Sequence, residues 1–453
     1  MFKFSRSLVL GAVCFVQGCS SFGQSVAPAA AGRPARYIQH VVVIVQENRS
    51  FVDLFRGFPG ADAPPYGYMG SQKIALKPTP LEDPNNIDND FPDAIAAWNS
   101  GKMNGFDHEH MYGTPKRFPY AYVPNTLEEA GPYWFLARKW VLADRMFPME
   151  FGESFTAHLG LIAGTSNLTP RLAEVDGPNA WPWTCDAPPG TITYTLTPQR
   201  NENPNGPFPC FTQMRTMADT LDAAKISWRY YVPPVTNLGG KAWTEFGAIK
   251  SVRYGSDWKN VVTPETTVLS DIHAGRLPQV AWVIPDIANS DHPGSGSNTG
   301  PSWVASVVNA IGRSAYWNST AIILLWDDWG GWYDDAPPPQ LDFRGLAIRV
   351  PCLVISPYAR IAAGAKNGYV SHTRYESGSV LKLIEEIFGL PPVGAASQGY
   401  TDTRAASLID ALDFTQAPRA YVPAPQPYSA SFVLARPHSN RPPDDDYERN
   451  ENP

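Results

Sequence analysis

Charge is scarce in this chain. Asp, Glu, Lys and Arg make up 17% of its 453 residues, and the balance is acidic, −7 at neutral pH. With so little charge to repel itself, the chain is not of the class that stays unfolded. The lack of a basic excess argues against a nucleic-acid partner, whose phosphates need a basic stripe. A small phosphate-bearing ligand stays open, because a bound cation reverses the local field. Cysteine is also scarce, five in all, and no spacing among them matches a cysteine-based zinc site. No apolar run reaches the roughly 20 residues of a membrane helix, and there is no internal repeat. What abounds is aromatic residues and proline, with 14 Trp and 45 Pro. That suits a large packed core surrounded by ordered loops.

The N-terminus reads as an address. Lys3 and Arg6 precede a short apolar stretch, Leu8 to Val16, which ends at Val16-Gln17-Gly18-Cys19-Ser20. A basic start and a short apolar segment mark an export signal rather than a span. Its end resembles the lipobox of bacterial lipoproteins, which implies removal of residues 1–18, lipidation of Cys19 and attachment to a membrane through that lipid. The alternative is ordinary secretory cleavage near Ala29 or Ala31. Residues 19–36, rich in Ala, Ser and Gly, read as a linker. The expected location is outside the cytoplasm: periplasmic, anchored to the outer membrane, or secreted. Export permits disulfides. Cys185 and Cys210 flank a segment rich in Pro, Gly and Asn with little periodicity of its own. A bond between them would contribute about 3–4 kcal/mol by loop closure. Cys352, within the apolar run Val350–Ile355, reads as a buried thiol.

Continuous apolar runs mark buried strands of a parallel sheet. His40 to Val45, Gln279 to Ile284, Ala321 to Trp326 and Arg349 to Ile355 qualify. Helical patterns lie between them at Phe155–Ala163, Thr216–Ala224, Ser302–Ile311 and Ser379–Phe388. This alternation predicts an α/β fold, a mostly parallel sheet covered by helices on both faces. Residues 37–415 are expected to form one domain. Within it, 170–245 read as a loop-rich insertion capping the active face, and 416–453 read as a polar tail.

In such sheets ligands gather at the carboxyl ends of the strands. The first run leads into Glu47 and Asn48. The run ending at Trp326 leads into Asp327 and Asp328, then Trp329-Gly330-Gly331-Trp332. Adjacent carboxylates in apolar surroundings repel each other unless a cation neutralises them. Glu47, Asn48, Asp327 and Asp328 therefore read as oxygen ligands of a hard divalent ion, with glycines allowing a close turn beneath. Read singly, each is also an ordinary strand-end residue. Ser154 opens a helical pattern, where backbone N–H groups and the dipole favour a phosphate. The same position suits a plain N-cap serine.

Together these segments resemble the bacterial phosphoesterase family that includes non-haemolytic phospholipase C and a periplasmic acid phosphatase, within the alkaline-phosphatase-like superfamily. The matching stretches run in order over most of residues 38–415. They include His40–Phe51, Gly101–Phe106, Ser154–Ser166, Asn289–Pro293, Ser314–Asp334, Arg349–Tyr358 and Ser371–Leu390. The resemblance implies an alkaline-phosphatase-like fold. It also implies one or more divalent ions held by Glu47, Asn48, Ser154, Asp327 and Asp328, with Ser154 as nucleophile and His292 as phosphate ligand or general acid. In-line attack would give a phosphoserine that water then hydrolyses. Two family histidines are missing. Asn89 follows Ile87-Asp88, and Asp335 follows Tyr333-Asp334, where the family commonly has His. His108 and His110 are candidates to replace them in binding substrate, and His158, at i+4 from Ser154, to position phosphate. His372 reads as structural. The implied substrate is a phosphate ester: lipid anchoring would bring a phospholipid head group within reach, and a soluble phosphate monoester fits the same residues. A rival expectation is a surface lipoprotein that binds a phosphate ligand without turning it over; another is a sulfate or phosphonate ester as substrate.

Overall fold

The computed structural model describes residue 1 and residues 34–82, 87–110, 119–208 and 210–436. The proposed signal, the lipidation site Cys19 and the end of the tail lie outside those residues.

A nine-stranded sheet carries the fold. In chain order its strands are β1 (His40–Gln46), β2 (Val141–Phe147), β3 (Trp228–Tyr231), β4 (Val261–Val262), β5 (Val280–Val283), β6 (Thr320–Trp326), β7 (Val350–Ile355), β8 (Tyr369–Ser371) and β9 (Tyr375–Glu376). Across the sheet the order is β4-β3-β5-β1-β6-β7-β2-β8, with β9 also on β2. All adjacent pairs are parallel except those of β7, which runs against β6 and β2. β1 and β6 lie at the centre, and all seven residues of β6 are buried. Such burial needs helices on both faces. Gly300–Gly312 packs with Gly131–Lys139 and Thr267–His273, while Ser154–Ile162 packs with Ser377–Phe388. The α/β expectation holds.

Three details differ from the sequence expectation. β7 is antiparallel, which its apolar run cannot signal, because a strand buried on both faces looks alike in either direction. The segment expected as a loop-rich cap carries a small sheet of its own. Asn167–Thr169, Leu172–Glu174, Ile192–Leu196 and Glu202–Pro207 form a separate four-stranded sheet, and β3 returns to the main one. The cystine Cys185–Cys210 staples this region, and Cys352 is a buried free thiol. Finally, residues 416–436, expected as tail, pack against the domain. Tyr421 sits 4.9 Å from the Trp317 ring and donates to Asn309 at 2.6 Å, and Val433 of the last helix is buried. Isolated aromatic anchors give no periodicity, so the pattern missed them.

Candidate active site

Parallel register begins the assembly. Gln46 pairs with Trp326, so Glu47 and Asp327 leave the sheet side by side at its carboxyl edge. The Asp327 amide donates to the Gln46 carbonyl at 2.9 Å, and the Asn48 amide donates to Asp327 Oδ1 at 3.0 Å. Asn48 has φ +55°, a left-handed turn that Asn tolerates better than most residues. Gly330, at φ +60°, turns so close beneath that a Cβ would stand 2.3 Å from the Asn48 carbonyl oxygen.

The serine arrives from another strand at the same edge. β2 runs parallel to β1, and the loop after Phe147 leads into the helix Ser154–Ile162. Ser154, its first residue, donates from Oγ to Asp328 Oδ2 at 3.2 Å. One turn later His158 places Nε2 3.1 Å from Glu47 Oε1 and 3.6 Å from Asp327 Oδ2. Single ligand atoms of Glu47, His158 and Asp327 all lie within 4.8 Å of one another, and all three residues are buried.

Does this pocket fit a cation? Both polar atoms of the Asn48 side chain, and Asp327 Oδ2, are buried without a hydrogen-bond partner among the described residues. An orphaned buried polar group costs about 1–3 kcal/mol, and a cation bridging these oxygens removes that cost. Burial holds the His158 imidazole down to about pKa 4 against the opposing pull of Asp327. A neutral ring offers a nitrogen lone pair, as a metal ligand must. The donor set fits a divalent ion.

His292 lies on the loop after β5. Its amide donates to Ser290 Oγ at 3.1 Å, and Nδ1 is 2.6 Å from the Pro293 carbonyl oxygen. Nδ1–H therefore faces that carbonyl, which leaves the ring's lone pair on Nε2. Trp243 packs near both histidines, its ring centroid 6.4 Å from His158 at an interplanar angle of 3° and 6.3 Å from His292. Asp291, at φ +68°, anchors this loop, accepting from Tyr133 at 2.6 Å and Trp326 Nε1 at 3.2 Å. Burial pushes its carboxyl up to about 7 against these two donors. The buried Arg49 ties the loop to the first strand end, donating to the Asp291 carbonyl at 3.0 Å and the Leu81 carbonyl at 2.9 Å.

Glu47, Asn48, Ser154, His158, Asp327 and Asp328 thus meet in one buried pocket, with the His158 ring against the carboxylates. His108 and His110 do not join it. Their side chains are 72% and 74% exposed, on Asp107 and Asp93 respectively. Asn89 is buried, its side-chain amide atoms without hydrogen-bond partners among the described residues, and the preceding Ile87-Asp88 presses on Gly331. Asp335 is engaged elsewhere, 3.0 Å from Arg349, which also binds Asp334 at 2.9 Å. His372, half-exposed, pairs with Asp144 at 2.8 Å. The sequence reading overlooked Trp243 and Asp291. Asp291 stands beside the His292 it singled out, whereas nothing local marks Trp243 among 14 tryptophans.

The chain is similar to known proteins over most of its length. Phospholipase C A of Mycobacterium tuberculosis is 27% identical over 452 residues, covering 85% of this chain and 79% of that protein. Non-hemolytic phospholipase C of Pseudomonas aeruginosa is 24% identical over 414 residues, and there the chain spans only 54% of the relative. Among solved structures, a protein in the alkaline phosphatase superfamily from Vibrio parahaemolyticus aligns with a TM-score of 0.38 at 10% identity, over 83% of this chain and 72% of that one. Residues 38–391 match the model of the Phosphoesterase family. The chain belongs to the Phosphoesterase family, and it is a phosphoric ester hydrolase.

Proposed function

We propose that this protein hydrolyses phosphoric diesters through a serine nucleophile assisted by a divalent cation, and that phospholipid head groups are among its substrates. The observation that carries the reading is the juxtaposition at the strand ends. The buried Asn48 side-chain amide and Asp327 Oδ2 lack hydrogen-bond partners among the described residues, and the Ser154 hydroxyl is held on neighbouring Asp328. Glu47, Asn48, His158 and Asp327, with Ser154 and Asp328, would hold the ion. When bound, it neutralises the carboxylates and the charge that builds on the phosphoryl oxygens.

The residues do the rest. Asp328 Oδ2, hydrogen-bonded to the hydroxyl, receives its proton as Ser154 Oγ attacks phosphorus. The helix N-terminus at Ser154 presents backbone N–H groups and a favourable dipole to the phosphate oxygens. His292, with Nδ1 turned to Pro293, uses Nε2 to protonate the departing alkoxide. The phosphoryl group, still carrying its second ester substituent, rests on Ser154 until water, giving its proton to His292, releases it as a monoester, while the serine oxygen takes back the proton held on Asp328. Trp243 closes the apolar side of the pocket against solvent.

The phospholipase C names of the relatives support a lipid diester. They disfavour the rival reading of a phosphate-binding lipoprotein without turnover. A lipid on Cys19 would hold the site beside its substrate after export. The test is turnover of a panel of chromogenic phosphate monoesters, phosphate diesters and sulfate esters, with phospholipid vesicles alongside. Diester and phospholipid turnover that Ser154→Ala abolishes is expected. Wild-type rates in that variant would refute the nucleophile, and turnover of sulfate esters alone would refute the substrate class.

A further inference from the structure

A second cluster lies behind the catalytic edge, on the segments that carry Ile87–Asp93 and Phe106–His110. Ligand atoms of Asp88, Asp93 and His110 lie within 4.8 Å of one another. His110 Nδ1 is 3.0 Å from Asp93 Oδ2, and its carbonyl accepts from the Asp88 amide at 2.9 Å, so the two segments are already joined. Asp88 and Asp93 are each 2% exposed.

Glu109 supplies an independent observation. Its side chain is 4% exposed, and neither carboxylate oxygen has a hydrogen-bond partner among the described residues. Its carboxyl stands within electrostatic reach of Asp93, Asp88 and Asp107. A buried carboxylate without a hydrogen-bond partner, near two other buried carboxylates, is costly in a folded protein unless something positive sits nearby. The histidine adds a nitrogen donor on the open side. Three carboxylates with one imidazole suit a borderline ion, such as Zn2+ or Mn2+.

We propose that Asp88, Asp93, Glu109 and His110 bind a divalent cation of their own, Zn2+ or Mn2+, distinct from the Glu47–Asp327 pocket. The consequence for catalysis is positional. Ile87 and Asp88 press on Gly331 beneath the catalytic strand end, and Asn89 follows directly. An ion at Asp88 clamps that segment and fixes where the buried Asn89 amide stands.

The inference does not depend on the proposed chemistry, and the test separates the two. Purified protein is dialysed to equilibrium against MnCl2 or ZnCl2, and bound metal is measured by mass spectrometry in wild type, His110→Ala, Glu109→Gln and Glu47→Gln. His110 is largely exposed, so its replacement leaves the fold intact. Wild type is expected to hold one ion more than His110→Ala or Glu109→Gln, and Glu47→Gln to keep that ion. Thermal unfolding gives a second readout: Zn2+ or Mn2+ raises the Tm of Glu47→Gln but not of Glu47→Gln/His110→Ala. Equal metal content in wild type, His110→Ala and Glu109→Gln would overturn the proposal, and so would equal Tm shifts in the two thermal variants. Loss of metal only in Glu47→Gln would leave the catalytic reading standing alone.

Discussion

Replacing Gly330 by alanine isolates the turn that sets the catalytic ligands. Gly330 has φ +60°, and the added Cβ would lie 2.3 Å from the Asn48 carbonyl oxygen and 2.5 Å from its Cβ. Holding an L-residue in the left-handed region costs about 1–2 kcal/mol. Relieving such an overlap in a packed interior costs about 1–3 kcal/mol more. The cheapest relief is to move Asn48, the residue whose amide is held on Asp327 and whose side chain faces the pocket. Displacing a ligand on the scale of 1 Å lowers turnover by about 100-fold. Gly389→Ala is the control. Gly389 also has a positive φ, +68°, but no atom lies within 4 Å of the added carbon. It therefore carries the backbone cost without the collision. Both variants should lose thermal stability, Gly330→Ala more, while only Gly330→Ala should lose kcat against a chromogenic diester. If the two lose activity equally, the turn does not position the ligands and the reasoning fails.

Three further outcomes are expected. Chelation should abolish turnover, and His158→Gln should weaken the ion's hold roughly 10–100-fold; activity titrated against added metal reads both, and an unchanged metal requirement in the variant would remove His158 from the site. Glu150 is buried, with its carboxyl pushed from 4.5 up to about 8. Between those values the native state keeps a proton that the unfolded chain releases, so this group's stabilising contribution is present at low pH and falls by about 1.4 kcal/mol per unit as pH rises. Above about pH 8 both states are ionised and the slope ends; denaturation of Glu150→Gln across that window should lack this component. Opening the Cys185–Cys210 bridge, which closes a separation of 25 residues, should cost about 3–4 kcal/mol. Denaturant midpoints of a Cys185→Ser/Cys210→Ser double variant check it, and an unshifted midpoint would mean the loop is held by its packing alone.

The strand ends were legible because one physical rule connects them. Runs such as His40–Val45 and Ala321–Trp326 need burial on both faces, parallel strands send their carboxyl ends to one edge, and acidic residues there must meet. Ser154 was legible as a helix start, though only the topology of β2 brings that helix to the same edge. What escaped was whatever depends on side chains meeting from distant segments. Asp335 could be seen as a departure, but its bond to Arg349 could not. His158 was visible at i+4 from Ser154, yet its reach to Glu47 needs the sheet register and the helix approach together. Trp243 carries no local pattern, and its place beside both histidines is a tertiary fact. His108 and His110 drew notice as histidines near a gap, and the fold turned them to the surface.

The central claim is that Ser154 carries the phosphoryl group. Enzyme quenched in acid during steady-state turnover of a phosphate diester, then digested and sequenced by mass spectrometry, reads this directly. The account predicts, on the peptide containing Ser154 and on no other residue, a phosphoryl adduct that still carries the substrate's second ester group. Turnover with that peptide unmodified at every quench time, or an adduct on a different side chain, would contradict it.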